Sequence, residues 1–257
     1  MKILFISLGC DKNLVDSEEM LGLLNSRGYT FTDDETEADV IIINTCCFIN
    51  DAKEESVQTI LEMAEYKKTG KCKALIVTGC MAQRYKQEIL DEVSEVDQVL
   101  GTTAYEKIVE AVDEALAGSR GVEEKPLSYL PQTDAKRMVT TGGHYAYLKI
   151  AEGCNKCCTY CFIPKLRGCY RSVPMERQIQ IVTDLLFSFH CLDQIFINLL
   201  RIAIKNPNPT QDDTGGSGAD RDAFAGRDSG HRASHDTDCR ISGRDRGTAS
   251  GGHGIYR

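Results

Sequence analysis

No run of 18 apolar residues occurs anywhere in the 257-residue chain, so the sequence encodes no helix long enough to span a bilayer. Positive charge is not in excess either. Thirty Lys and Arg face 38 Asp and Glu, a net −8, which counts against nucleic acid as the main partner. An export signal is also missing: residues 1–7 are a short apolar stretch running into charged, helix-like sequence, without a small-residue cleavage site. With 42% hydrophobic and 26% charged residues, the chain reads as soluble and globular, with one or two domains and no membrane partner. What it has in plenty is sulfur. Twelve cysteines without an export signal point to the reducing cytoplasm, where so many thiols serve as metal ligands more often than as disulfides.

Composition shifts along the chain. From Lys205 to Arg257, eight Asp are balanced by Lys205 and seven Arg, and 10 of 53 positions are Gly. The last Leu is Leu200 and the last Glu is Glu176. Such a segment cannot bury enough apolar surface to offset its conformational entropy. It is expected either to be a disordered tail or to lie out of frame, with the frame changing between about Phe189 and Asn208.

Upstream the pattern is regular. Strands expected at 2–7, 40–44, 74–78 and 98–100 alternate with helices at 14–27, 51–68, 83–92 and 104–117. Leu14, Leu21 and Leu24 share one face of the first helix; Val57, Ile60, Leu61 and Ala64 share one face of the second. The alternation predicts an α/β fold built on a parallel sheet over residues 1–118. Residues 119–141 carry Pro126 and Pro131 without periodicity and read as a linker. A second unit, 142–204, would open with a strand at 145–150, followed by a cysteine-rich loop, a helix over 175–189 and a strand near 194–199.

Six of the twelve cysteines fall into two sets of three. Cys10, Cys46 and Cys80 each follow an expected strand and precede a helix. In an open parallel sheet the carboxyl ends of the strands line one ligand-binding edge, so three distant thiols would meet there. Helix N-termini would also lower their pKa values. Three thiolates suit an iron–sulfur cluster with one open iron, or a zinc ion with one open position. Each thiol taken alone could equally be a small buried hydrophobe, and Cys47 could replace Cys46. The second set lies within Cys154-Asn155-Lys156-Cys157-Cys158-Thr159-Tyr160-Cys161. Cys154, Cys158 and Cys161 would wrap a four-iron cluster through three of its irons. The competing reading pairs Cys154 with Cys157 and Cys158 with Cys161 as zinc knuckles, but abutting knuckles reach tetrahedral geometry with difficulty.

The loop Cys154-x-x-x-Cys158-x-x-Cys161, with Tyr160 before its last cysteine, resembles the radical S-adenosylmethionine signature. Together with the upstream cysteines it resembles the methylthiotransferase family, in which an N-terminal cluster domain, a radical-SAM barrel and a small C-terminal TRAM domain are joined. The stretch Ser7-Leu8-Gly9-Cys10-Asp11-Lys12-Asn13-Leu14-Val15-Asp16-Ser17-Glu18 is similar to the RimO branch, whereas the tRNA-modifying MiaB branch usually has Gln-Met-Asn at residues 11–13. Asn44-Thr45-Cys46, the run 79–85 and the run 163–168 match as well. The resemblance implies two 4Fe-4S clusters, held by Cys10, Cys46 and Cys80 and by Cys154, Cys158 and Cys161, with S-adenosylmethionine as cosubstrate and Tyr160 at its site. It implies a cytoplasmic transferase. A deoxyadenosyl radical would take hydrogen from the β-carbon of an aspartate in small-subunit ribosomal protein number twelve, and the auxiliary cluster would deliver the methylthio group. A flavodoxin or ferredoxin would donate the electron, and no residue beyond the cluster ligands is assigned to catalysis.

This chain also departs from the family. Cys157 and Cys169 stand at unusual positions, residues 187–200 match poorly, and the later barrel strands and TRAM domain have no counterpart. The encoded site is thus expected to be half built and catalytically weak. The alternatives are tRNA methylthiotransfer of the MiaB kind, or a non-catalytic metal-binding fragment. His144, His190, Arg167, Arg171 and Arg177 read as solvated or packing residues.

Overall fold

The computed structural model describes residues 1–132, 136–141, 145–156 and 158–188. The expected strand at 194–199, the tail from 205, Cys157, His144 and His190 lie outside the described residues.

The continuous apolar runs fold as strands closed on both faces. β1 (Lys2–Ser7), β3 (Val40–Thr45) and β4 (Ala74–Gly79) form the middle of a parallel sheet, and every residue of β3 and β4 is buried. β5 (Gln98–Leu100) extends the sheet beyond β4. Two strands of three residues each complete it: β2 (Thr30–Thr32) beside β1 and β6 (Gly121–Glu123) beside β5. β6 arises within the stretch read as a linker. The order is β2-β1-β3-β4-β5-β6, all parallel.

Chain order reverses between β1 and β3. With right-handed crossovers, such a reversal puts the helix after β1 and the helix after β3 on opposite faces. The packing agrees. α1 (Asp11–Ser26) and α5 (Ile108–Leu116) bury Met20, Leu24, Ile108 and Val112 against Ile3, Ile42 and Ile76. α2 (Asn50–Thr69), α3 (Cys80–Tyr85) and α4 (Gln87–Glu92) cover the other face, with Ile60, Met63, Met81 and Ile89 against Ile41, Ile43, Leu75 and Val77. The reversal opens a crevice at the carboxyl ends of β1 and β3, the usual ligand position in such sheets.

Several expectations need correction. α1 starts three residues earlier than its leucine pattern suggested, and its interior side buries Asn13, Asp16, Ser17, Glu18 and Glu19 rather than Leu14. In α2 the core residues are Ile60, Met63 and Ala64; Val57 and Leu61 are exposed. The helix expected over 83–92 is two helices, broken at Lys86, whose φ of 40° no regular helix accommodates. Residues 145–150 form no strand ladder; pairing begins at β7 (Ala151–Glu152), antiparallel to β8 (Arg171–Ser172). Between these two lie the cysteine loop and α6 (Ile163–Arg167), and α7 (Met175–Ser188) follows.

Candidate functional site

Cys10, Cys46 and Cys80 stand where β1, β3 and β4 end, three neighbouring strands at one edge of the sheet. Cys10 caps α1 and Cys80 is the first residue of α3, whereas Cys46 is separated from α2 by residues 47–49. Gly9 has φ +96°, and a Cβ there would lie 2.7 Å from Cys46 Cβ and 3.0 Å from its Sγ. The strand-end loop that carries Cys10 therefore passes directly over Cys46, which only glycine permits. Ser56 Oγ accepts from the Cys46 amide (3.0 Å) and donates to its carbonyl (2.9 Å), which fixes that backbone.

A fully buried amide ties the backbones near these thiols. Asn13 Nδ2 donates to Leu8 O (3.0 Å) and Thr45 O (2.9 Å), and its Oδ1 lies 3.7 Å from Cys80 Sγ. Cys10 is exposed while Cys46 and Cys80 are buried, and among the described residues no three His, Cys, Asp or Glu side chains are converged as a metal site. The donor set nevertheless suits a soft metal cluster: three thiols on neighbouring strand ends and a loop with no room for a side chain at Gly9. The expected lowering of thiol pKa by helix N-termini is reversed at Cys80, where burial outweighs the nearby Arg167 and pushes the thiol up to about 12. Such a thiol gives up its proton when a metal takes its place. Burial raises the Cys47 thiol as well, against the pull of Arg84.

The second triplet lies on a loop strapped at both ends. The Cys154 amide donates to Gly168 O (3.0 Å) and the Tyr170 amide to Asn155 Oδ1 (2.8 Å). A Cβ on Gly153, at φ +76°, would fall 2.1 Å from Cys169 O. The Cys161 amide closes a turn onto Cys158 O (3.1 Å), and the Lys156 amide points at Cys154 Sγ (3.4 Å). Cys154 and Cys161 are half-buried and Cys158 is exposed. Tyr160 projects beside them, 84% exposed. Cys169 contributes its carbonyl oxygen, which accepts from Arg171 Nη1 (2.7 Å).

α6 follows this loop directly and lies against the first triplet's edge. Phe162 stacks under the Arg84 guanidinium of α3 (4.1 Å), and Thr102 Oγ1 donates to Leu166 O (2.6 Å). Arg167, read as solvated, is 4% exposed. Its guanidinium donates to Asp16 Oδ2 (2.9 Å), Glu152 Oε2 (3.0 Å) and Asn13 Oδ1 (2.5 Å). Lys149 pairs with Asp16 and with Glu152 (3.4 Å), so two cations and two carboxylates share one buried pocket. Burial opposes ionisation of Glu152, but Arg167 and Lys149 overcome it and hold that carboxyl at about 2. Asn13, Asp16 and Arg167 lie within stretches that carry the family resemblance but had no site role assigned from the sequence, and Lys149 and Glu152 were not singled out. The available signal was a set of charged residues in one α1 turn, which reads equally as a wet face.

Residues 2–101 match the family described as "Uncharacterized protein family UPF0004". Three curated proteins with the same name resemble the chain further. The ribosomal protein uS12 methylthiotransferase RimO of Lachnoclostridium phytofermentans is 64% identical over 180 residues, covering 70% of this chain and 41% of that protein. Its namesake in Desulforamulus reducens is 51% identical over 181 residues, 70% of this chain and 41% of that protein. The one in Clostridioides difficile is 50% identical over 176 residues, 68% and 40% respectively. The chain thus spans about two fifths of the length of the curated relatives it matches.

Proposed function

We propose, for a chain whose matched residues belong to the family of the uS12 methylthiotransferases RimO, the reaction of that family, in which a methylthio group is placed on the β-carbon of an aspartate in a small-subunit ribosomal protein. The observation that carries this reading is the junction of the two sulfur triplets. Phe162, next to Cys161, and Arg167, six residues beyond it, reach Arg84, Asn13 and the neighbourhood of Cys80. A reaction that generates a radical at one cluster and delivers sulfur from another needs both beside one substrate atom.

Cys154, Cys158 and Cys161 would hold a four-iron cluster whose open iron takes S-adenosylmethionine, and Cys10, Cys46 and Cys80 a second cluster with its own open iron. When bound, the first cluster supplies the electron that cleaves the sulfonium of S-adenosylmethionine, which yields a radical able to abstract hydrogen from a C–H bond that no acid–base residue can activate. The chain's own residues hold and shape. Gly153 and the Gly168 carbonyl fix the loop, and the Lys156 amide steadies the Cys154 sulfur. Tyr160 offers an open aromatic face to the cosubstrate. The Arg167 and Lys149 charges are neutralised within the protein, so they anchor α6 and leave substrate recognition to other groups. A flavodoxin- or ferredoxin-type protein would supply the electron in the cytoplasm. A tRNA substrate is not favoured: the relatives are named for a ribosomal protein, and the chain carries a net −8.

Anaerobic reconstitution with iron and sulfide tests this reading. The expected content is about eight irons per chain, falling to about four in the triple variant C154A/C158A/C161A, which also loses deoxyadenosine formation. Zinc as the only bound metal, or equal iron in both proteins, overturns it.

A further inference from the structure

The Asn13 side chain makes three of its four contacts with the elements that carry the first triplet and the fourth with Arg167 of α6. A carboxamide has two N–H donors and two acceptor lone pairs. Both N–H groups are spent on backbone carbonyls, Leu8 O at the end of β1 and Thr45 O next to Cys46. Its oxygen meets the third element, lying 3.7 Å from Cys80 Sγ, and accepts from Arg167 Nη2 at 2.5 Å. The side chain is fully buried, so no water can substitute for a lost partner. The amide has only one workable orientation. Turned over, it would set its oxygen against two carbonyls and its N–H groups against a guanidinium.

We propose that Asn13 is the positioning residue of the first triplet: its side-chain amide sets the spacing of the Cys10, Cys46 and Cys80 loops, and Arg167 locks that amide in place. The inference rests on the reading of Cys10, Cys46 and Cys80 as cluster ligands. No other common side chain meets all four contacts. Asp offers no donor to the two carbonyls, Ser is too short to reach both, and Gln is one methylene too long for a site without free volume. The main-chain carbonyl of Asn13 adds to the same tie by accepting from Asn44 Nδ2 (2.9 Å), two residues before Cys46.

The test uses the full chain in two backgrounds. One is C154A/C158A/C161A, which leaves only the first triplet, and the other is C10A/C46A/C80A, which leaves only the second. Asn13→Asp and Asn13→Ala are placed in each, and iron content and the rate of iron loss to a chelator are measured after anaerobic loading. In the first background both variants are expected to bind at least five-fold less iron, or to release it at least ten-fold faster. In the second background neither number changes. Unaltered iron in the first background overturns the role of Asn13 while leaving the two-cluster reading intact. Equal loss in both backgrounds makes Asn13 a folding residue and overturns the role as well. An iron-free parent in the first background removes the ligand assignment, and the inference with it.

Discussion

Arg167→Met is the sharpest perturbation of the pocket between α1 and α6. The change keeps a long apolar stem and removes the guanidinium that serves Asp16, Glu152 and Asn13 together. Asp16 and Glu152 are 4% and 5% exposed, so water cannot take over. Removing one partner of a buried ion pair costs about 3–5 kcal/mol. Lys149 remains beside both carboxylates, which places the expected loss near the lower end, about 3 kcal/mol. For a protein of this size each kcal/mol lowers the midpoint by about 2–4 °C, hence roughly 6–12 °C. Thermal and urea unfolding of the metal-free chain at pH 7 would measure it. Adding Asp16→Asn should recover part of the loss, because one of the stranded charges is then gone. A coupling of about 1–3 kcal/mol between the two sites is expected. A loss below about 1 kcal/mol, or strict additivity with Asp16→Asn, would show that the pocket is hydrated and refute the account.

Two further predictions concern the sheet domain. Glu106 accepts from Lys125, from Tyr129 Oη (2.8 Å) and from the Gln132 amide (3.0 Å). Burial alone would raise its pKa, but these donors keep the carboxyl below its ordinary 4.5. A group held low contributes stability above its ordinary value and loses that contribution as pH falls through the lowered one. Glu106→Gln should therefore cost about 1.5 kcal/mol at pH 7, with the gap to the parent closing only below pH 4.5, as read from urea midpoints at several pH values. A gap constant from neutral to acid pH would contradict the ionised clasp. On α2, Leu61 is 48% exposed and Met63 6%, against the sequence pattern that put Leu61 in the core. Leu61→Gln should change stability by less than about 0.5 kcal/mol. Met63→Ala should cost about 2–5 kcal/mol, and the reverse ranking in unfolding experiments would restore the original face.

What could be read in the sequence follows from where apolar residues are concentrated. Val40-Ile41-Ile42-Ile43 announces a strand buried on both sides, and so does Ala74-Leu75-Ile76-Val77, because no single-faced element tolerates four such residues in a row. β2 and β6 escaped because three residues, Thr-Phe-Thr and Gly-Val-Glu, are too few to show a period. The placement of Cys10, Cys46 and Cys80 at the ends of three neighbouring strands was legible from the apolar runs they follow. Asn13 and Arg167 were not, since their meaning lies in a contact across 154 residues of chain. Asp16, Ser17, Glu18 and Glu19 look like a wet helix face until Arg137 and Lys149 meet two of them. Local pattern carries the sheet, and tertiary pairing of charge decides the side of α1 that the pattern misjudges.

The wall that α6 provides also has a timing. During synthesis the sheet is complete once residue 123 has emerged, whereas Arg167 follows about 40 residues later. At roughly 5–20 residues per second, the crevice over β1 and β3 stands open on the growing chain for some seconds before its last guanidinium can dock.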